Sequence, residues 1–314
     1  MLDSFIFSLN ATLPVFLLIL VGMLLRRIGI FTEEYASATD KYVFKIALPV
    51  LLFKDISGMS IRDDFDGGFV IFCAAASVLM FLVPWGFAAL LMKDKKSVGS
   101  FSQGCARGSA AVLGVALAEN IYGTSGMAPL MIFAAVPIFN ILSVIILTLS
   151  ADGHEKKIDV PLIVKNILTN PIIWGVVIGL PFSFFDISLP TVLSKTVGSI
   201  SATATPLALL AIGASFDFRT ARKKLRSAAV ASFVKLFVLP AVIIPVAVFF
   251  GFRDSALVSV FIMVGAPTTV AAYIMSKNMN NDHVLSSNIV MLSTLFSSVS
   301  MTFWVFVMRF MELI

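Results

Sequence analysis

The sequence predicts an all-α polytopic membrane protein with ten transmembrane helices, arranged as two inverted five-helix repeats. Of the 314 residues, 59% are hydrophobic and only 13% are charged, whereas soluble domains have about 25% charged residues. Together with a mean hydropathy of +0.99, this composition excludes a soluble globular chain. Ten apolar segments are long enough to cross a bilayer, and proline and glycine positions of the first half recur in the second.

Each predicted transmembrane segment has about the 20 predominantly apolar residues that spanning a bilayer requires. Numbered in chain order, the segments are residues 5–25, 37–56, 69–92, 99–122, 127–149, 163–181, 192–216, 228–250, 255–276 and 284–307. We expect the first to be a membrane helix and not a signal peptide, because it shows neither a basic leader nor a clear cleavage site.

Lysine and arginine are concentrated in the connectors that follow the odd-numbered segments. Arg222, Lys223 and Lys224, for example, lie between segments seven and eight. Since short basic loops stay on the cytoplasmic side of a membrane, this asymmetry predicts that both termini lie outside.

The two halves of the chain, residues 1–153 and 154–314, carry matching prolines and glycines. Three pairs are separated by 157 residues: Pro14 with Pro171, Gly22 with Gly179, and Pro49 with Pro206. Each half holds five segments, an odd number, so the halves must cross the membrane in opposite directions. Inverted repeats of this kind are typical of secondary transporters, which bind their substrates at the midplane between interrupted helices.

The centre of the ninth segment contains residues that do not suit an uninterrupted helix. Gly265 and Pro267 are followed by two hydroxyl side chains, Thr268 and Thr269. Proline removes a backbone donor and clashes with the preceding turn; a simple kink is one outcome, but proline is also suited to the first position of a new helix. We predict a break here, with these four residues at a substrate site.

The fourth segment is predicted to hold the corresponding break. The sequence around Gly114 aligns with that around Gly265 at an offset of 151 residues, with Ser109 and Ala116 flanking Gly114. Free N–H groups at such a break attract anions, and free carbonyls hold cations. Ser109, Gly114 and Ala116 are therefore predicted to contribute to the substrate site, although Ala116, unlike proline, does not force a break.

Three further residues within the segments are functional candidates, because polar and ionisable side chains are costly in lipid. Glu119 is either a site for a coupling proton or cation, or a carboxylate at the membrane interface. Arg107 either attracts an anionic substrate or extends to the interface. Asn140, in the fifth segment, is predicted to line the substrate site, with hydrogen bonding between helices as the alternative.

Several stretches resemble the auxin efflux carrier family, and together they cover nearly the whole chain in order. They are ALPVLLF (47–53), RGSAAVLGVALAENIYG (107–123), VPIFNILSVIIL (136–147), ILTNPIIWGVVIGL (167–180), TPLALLAIGASF (205–216) and GAPTTVAAYIMS (265–276). Family members carry asparagine and proline where this chain has Ser109 and Ala116, so the binding geometry at the first break departs from the family pattern. Bacterial members are known as malate or malonate permeases, and plant relatives are the PIN auxin exporters.

The resemblance implies a fold similar to the bile-acid sodium symporters, with crossed broken helices. It also implies a scaffold of segments 1, 2, 6 and 7 and a mobile unit of segments 3–5 and 8–10. The expected mechanism is elevator-like alternating access in a homodimer, in the plasma membrane (the inner membrane of bacteria).

Sequence and resemblance together predict a secondary transporter of small organic anions, such as auxin-like monocarboxylates or malate-like and malonate-like dicarboxylates. Coupling to protons or sodium is open, and sodium symport is the alternative. A membrane sensor is less favoured, because no connector is long enough for an appended domain. No enzyme activity, metal, other cofactor or nucleic-acid partner is expected, since His154 and His283 fall in connectors and Cys73 and Cys105 lack metal-like spacing.

Overall fold

The structure, a computed structural model, describes residues 2–58, 65–109, 118–119, 121–122, 125–151 and 160–314. Its helices are α1 (Leu2–Arg27), α2 (Glu33–Tyr42), α3 (Leu48–Ser57), α4 (Gly67–Leu91), α5 (Lys95–Ala106), α6 (Ala128–Ser150), α7 (Val160–Thr169), α8 (Pro171–Phe184), α9 (Thr191–Ala202), α10 (Ala204–Ala214), α11 (Phe218–Phe233), α12 (Leu239–Phe249), α13 (Asp254–Gly265), α14 (Val270–Asn278) and α15 (His283–Phe310). Two π-helical turns, Val43–Ala47 and Val234–Val238, join α2 to α3 and α11 to α12.

The described part of the chain is almost entirely helical and contains no strand beyond one isolated β-bridge. Five stretches of it are long and apolar enough to cross a membrane: Gly67–Leu91, Ala128–Ser150, Thr191–Ala214, Arg219–Phe249 and His283–Phe310. The prediction of an all-α membrane protein is therefore confirmed at the level of class. The count of ten segments and their inverted repeat stay predictions.

Glycine allows α1 and α10 to pack backbone against backbone. A Cβ atom at Gly213 would overlap the carbonyl oxygen of Ile19, and one at Gly22 would overlap that of Leu210. Small residues at such crossings are the usual device of membrane helices, because lipid provides no hydrophobic force between helices and close van der Waals contact must replace it.

We expect Gly213→Val to destabilise the protein by about 1–3 kcal/mol or more, since a side chain there must push α1 and α10 apart. Thermal unfolding of the purified protein measures the effect. The matched control is Gly198→Val in α9, where an added Cβ meets no atom within 4 Å. Equal melting temperatures for the two variants would contradict the packing argument.

Polar contacts at one end of the molecule join connectors that are predicted to share a side of the membrane. The Nζ atom of Lys224 lies 3.1 Å from a carboxylate oxygen of Asp94 and 2.7 Å from one of Asp282. Burial favours a raised pKa for Asp282, but hydrogen bonds from Lys224, the Leu285 backbone and Ser97 outweigh it and hold the pKa below its usual value. This carboxylate is therefore ionised and binds α5, α11 and α15 together.

Polar contacts at the opposite end of the molecule also join residues that are predicted to share a side of the membrane. The backbone N–H of Met127 donates to the Ser255 hydroxyl at 2.8 Å, and that of Asp254 donates to the Leu313 carbonyl at 3.0 Å. Met127 and Ser255 are the first residues of segments five and nine, Asp254 lies in the connector after segment eight, and Leu313 is near the C-terminus. The charge pattern predicts that these positions share one side of the membrane. Which end faces the outside stays a prediction.

Candidate functional site

The ninth predicted segment is interrupted at its centre. Helix α13 ends at Gly265, the next residue, Ala266, is extended (ψ 146°), and α14 begins at Val270. Thr269 caps α14 with its side-chain oxygen, which accepts from the Ala271 N–H. The break thus includes Pro267, the residue from which it was predicted, and it places a helix N-terminus in the interior of the molecule.

A second interruption pairs with the first. Helix α5 ends at Ala106, and Gly108 forms an antiparallel β-bridge with Thr268. The Ser109 N–H donates to the Pro267 carbonyl at 2.9 Å, and the Thr269 N–H donates to the Arg107 carbonyl at 3.2 Å. Helix α5 thus ends before Gly114 and Ala116, the positions at which the sequence predicted the break. Those two residues lie outside the described residues.

The pairing accounts for backbone groups that two broken helices would otherwise leave unsatisfied in lipid. Thr268 adds two more hydrogen bonds: its hydroxyl donates to the Gly104 carbonyl at 2.7 Å, and its N–H donates to the Ser293 hydroxyl at 3.0 Å. Four elements (α5, α15 and the two extended segments) are thereby held in one arrangement at the centre of the protein.

A cavity of about 140 Å³ opens beside the paired segments. Its polar wall combines α3, α6, α10, α15 and both interruptions, in the residues Asp55, Arg107, Ser109, Asn140, Thr205, Thr268, Thr269 and Thr294. Among the predicted site residues, Ser109, Asn140, Pro267, Thr268 and Thr269 thus line one cavity. Gly265 instead packs against Phe261 and Pro240, and Glu119 is exposed and does not line the cavity.

Arg107 is a basic residue in the wall of this cavity, which Asp55 also lines. The Arg107 side chain is buried, with only 5% of the residue exposed, so extension to the membrane interface, one of the two alternatives, is wrong. The guanidinium donates to Asn140 Oδ1 at 2.7 Å and to the Ser143 hydroxyl at 3.3 Å. None of the ion pairs found in the described ranges includes Arg107.

Asn140 holds this arginine in place. Its amide nitrogen donates to the Val136 carbonyl at 2.8 Å in its own helix, which leaves the amide oxygen directed at the guanidinium. Asn140 is fully buried. It therefore lines the cavity and also connects α6 to the first interruption through its hydrogen bond with Arg107. That it contributes to a substrate site stays a prediction.

Asp55 and Thr205 also line the cavity and were not predicted to do so. Asp55 lies in α3, within the second predicted segment, and an acidic residue inside an apolar segment is the signal that would have identified it. Thr205 carries no such signal. Within the described ranges, no group of three or more His, Cys, Asp or Glu side chains is placed to hold a metal ion.

Comparison with known proteins identifies the kind of molecule that this architecture belongs to. Residues 7–305 match the family described as membrane transport protein, the auxin efflux carrier family. The chain belongs to this family. It is 23% identical to an uncharacterized transporter of Methanothermobacter thermautotrophicus over 302 residues, which cover 96% of this chain and 98% of the relative. It is 22% identical to an uncharacterized transporter of Methanocaldococcus jannaschii, over 94% of this chain and 97% of the relative.

The family and the apolar helices together make this chain an integral membrane protein of a transporter family. Both relatives are matched over almost their entire lengths, so this chain shares the full extent of their sequences. The cavity beside the two interruptions is accordingly the first place to look for a substrate site.

Proposed function

We propose that the protein is a secondary transporter of small organic anions, and that the anion binds in the cavity beside the two interruptions. The observation that carries the proposal is the buried Arg107 guanidinium, which lines the cavity and forms no ion pair within the described residues. An isolated buried charge is costly unless it is paired. Arginine presents a planar fork of donors that matches a carboxylate, so a bound carboxylate would supply the missing charge.

The N-terminus of α14 supports the same class of ligand. Thr269, Val270 and Ala271, where the helix begins, all line the cavity. The first turn of a helix exposes N–H groups and carries a partial positive charge of about half an elementary charge. Arg107 and this helix end therefore both favour an anion, and neither offers an advantage to a cationic substrate.

The proposed mechanism is elevator-type alternating access in ten helices that form two inverted repeats, residues 1–153 and 154–314. Segments 1, 2, 6 and 7 form the scaffold, and segments 3–5 and 8–10 carry the substrate. The antiparallel bridge between Gly108 and Thr268 supports this arrangement, because related helices of an inverted repeat cross in opposite directions. We further propose that the protein is a homodimer in the plasma (bacterial inner) membrane, with both termini outside. Glu119 is a candidate for ion or proton coupling.

Flux into proteoliposomes tests the proposal. We expect purified protein to accelerate uptake of at least one labelled mono- or dicarboxylate, drawn from a panel that includes malate, malonate and an auxin. Uptake is measured with and without a sodium gradient and with and without a pH gradient, since sodium symport is the alternative. A neutral amide of the same acid is the matched control, because it keeps the shape and removes the charge. Uptake of the amide equal to that of the acid would contradict the proposed role of Arg107.

A further inference from the structure

A fully buried lysine lies at the junction of the two interrupted helices. Lys235 belongs to the π-helical turn Val234–Val238 and is 0% exposed. Its Nζ atom donates to the carbonyl oxygen of Ala106 at 2.9 Å and to that of Met263 at 3.2 Å. Ala106 is the last residue of α5, and Met263 lies in the last turn of α13. The ammonium therefore joins the C-terminal ends of both interrupted helices.

The surroundings of this ammonium are those of a cation site. A helix C-terminus has carbonyls without intrahelical partners and a partial negative charge, and here two such ends converge on one atom. The extended segment that contains Gly108 also packs closely against the ammonium, because a Cβ at Gly108 would lie 2.9 Å from Lys235 Nζ. In the part of the chain that the structure describes, Lys235 forms no ion pair with a carboxylate. Helix carbonyls thus provide the compensation for its charge.

The local geometry of its own helix also determines the direction of the Lys235 side chain. A π-helical turn inserts one extra residue and changes the direction in which side chains point, and such turns are frequent at functional sites. Trp304 stabilises the turn, because its indole N–H donates a hydrogen bond to the Leu236 carbonyl at 2.9 Å. A second π-helical turn, Val43–Ala47, carries Lys45, but that side chain is exposed. Burial of Lys235 is therefore not a general consequence of a lysine in such a turn.

We propose that the Lys235 ammonium is a built-in cation that fills the position a coupling sodium ion would take at the ends of α5 and α13, so that transport is independent of sodium. In transporters with interrupted helices, carbonyls at C-terminal helix ends are ligands for sodium. Here two of them already accept hydrogen bonds from Lys235. The statement about transport rests on the proposed function, whereas the statement about the cation position does not.

The first test compares salts on the native protein. A ligand that binds only the folded state raises the melting temperature by mass action. We expect purified protein to melt at the same temperature, within about 1 °C, in sodium chloride, potassium chloride and choline chloride at equal ionic strength. A saturable rise that is specific to sodium would overturn the proposal.

The second test removes the ammonium. Lys235→Ala is expected to lower the melting temperature by about 5 °C or more, whereas the matched control Lys45→Ala changes it little. Methylammonium, which has N–H donors, should raise the melting temperature of Lys235→Ala, and tetramethylammonium, which has none, should not. Equal decreases in melting temperature for Lys235→Ala and Lys45→Ala would overturn the proposal. So would equal effects of methylammonium and tetramethylammonium on the melting temperature of Lys235→Ala. If Lys235→Ala does not fold, the salt comparison on native protein decides.

Flux measurements separate this inference from the proposed function. If the protein moves organic anions only in the presence of a sodium gradient, the inference fails and the proposed function stands. If it moves no organic anion, the proposed function fails, and the two melting experiments still decide whether Lys235 fills a cation position.

Discussion

Replacing Arg107 by glutamine is expected to reduce the uptake of organic anions by about 30-fold or more. Losing one partner of a buried, hydrogen-bonded charge pair costs about 2–5 kcal/mol, and each 1.4 kcal/mol is a factor of ten. The guanidinium is buried in the cavity wall and is oriented by Asn140 and Ser143. Glutamine keeps a hydrogen-bond donor for these neighbours, so the main loss is the charge that the substrate would meet.

Initial uptake rates at several substrate concentrations, with equal amounts of reconstituted protein, measure this effect. Arg309→Gln is the control, because Arg309 is exposed on α15. Arg107→Lys keeps the charge but loses the planar fork, so we expect an uptake rate between those of Arg107→Gln and the native protein. Uptake by Arg107→Gln at the native rate would show that the substrate binds elsewhere.

The sequence predicts the ninth-segment break well because its cause is local. Proline lacks a backbone donor wherever it stands, and the neighbouring Gly265, Thr268 and Thr269 add residues that suit a helix end and a cap. The sequence predicts equally well that this is a membrane protein, since that inference depends on composition and segment length alone. Neither inference needs knowledge of which parts of the chain meet in space.

The segment that contacts this break is harder to locate from the sequence, because the predicted repeat rests on few matching residues. The alignment pairs Gly114 with Gly265, an offset of 151 residues. In the structure, the residue that forms a β-bridge with Thr268 is Gly108, six residues before Gly114. Gly114 and Ala116 themselves lie outside the described residues. No proline marks the first break, so the alignment had only glycine and small residues to follow, and these recur by chance in membrane helices.

The roles of Arg107 and Lys235 could not be derived from the sequence for a related reason. Hydropathy detects a charge within an apolar segment, but a long side chain there can extend to the interface or turn inward. The outcome depends on acceptors far along the chain. Lys235 reaches Ala106, 129 residues away, and Arg107 reaches Asn140, 33 residues away. Only the packed structure reveals such acceptors.

Asp40→Asn is expected to destabilise the protein by roughly 3–5 kcal/mol, because it leaves a partly buried ammonium without its anion. Asp40 in α2 forms an ion pair with Lys277 in α14, and its side chain is 3% exposed. Lys277 also donates to the Tyr273 hydroxyl at 3.0 Å and to the Ser215 hydroxyl at 3.1 Å. Thermal or denaturant unfolding measures the loss, and Asp186→Asn, at an exposed carboxylate, is the control.

A double-mutant cycle isolates the pair from its surroundings. In Asp40→Asn combined with Lys277→Met, both charges are gone, and no buried charge remains uncompensated. We expect the double variant to be more stable than Asp40→Asn alone, since replacing a whole buried pair is often nearly neutral. Additive losses from the two single changes would mean that the two residues do not interact.

The double variant also tests whether this ion pair has a role in transport. Asp40 and Ser215 belong to segments two and seven, which are assigned to the proposed scaffold. Tyr273 belongs to segment nine of the proposed moving unit, and Lys277 directly follows that segment. Sliding of one unit along the other would have to separate these groups in each cycle. We therefore expect a double variant of near-native stability to exchange substrate several-fold faster than the native protein, because one barrier to sliding is removed. If its uptake rate stays native while its stability is restored, the pair only stabilises the fold and does not restrain the movement.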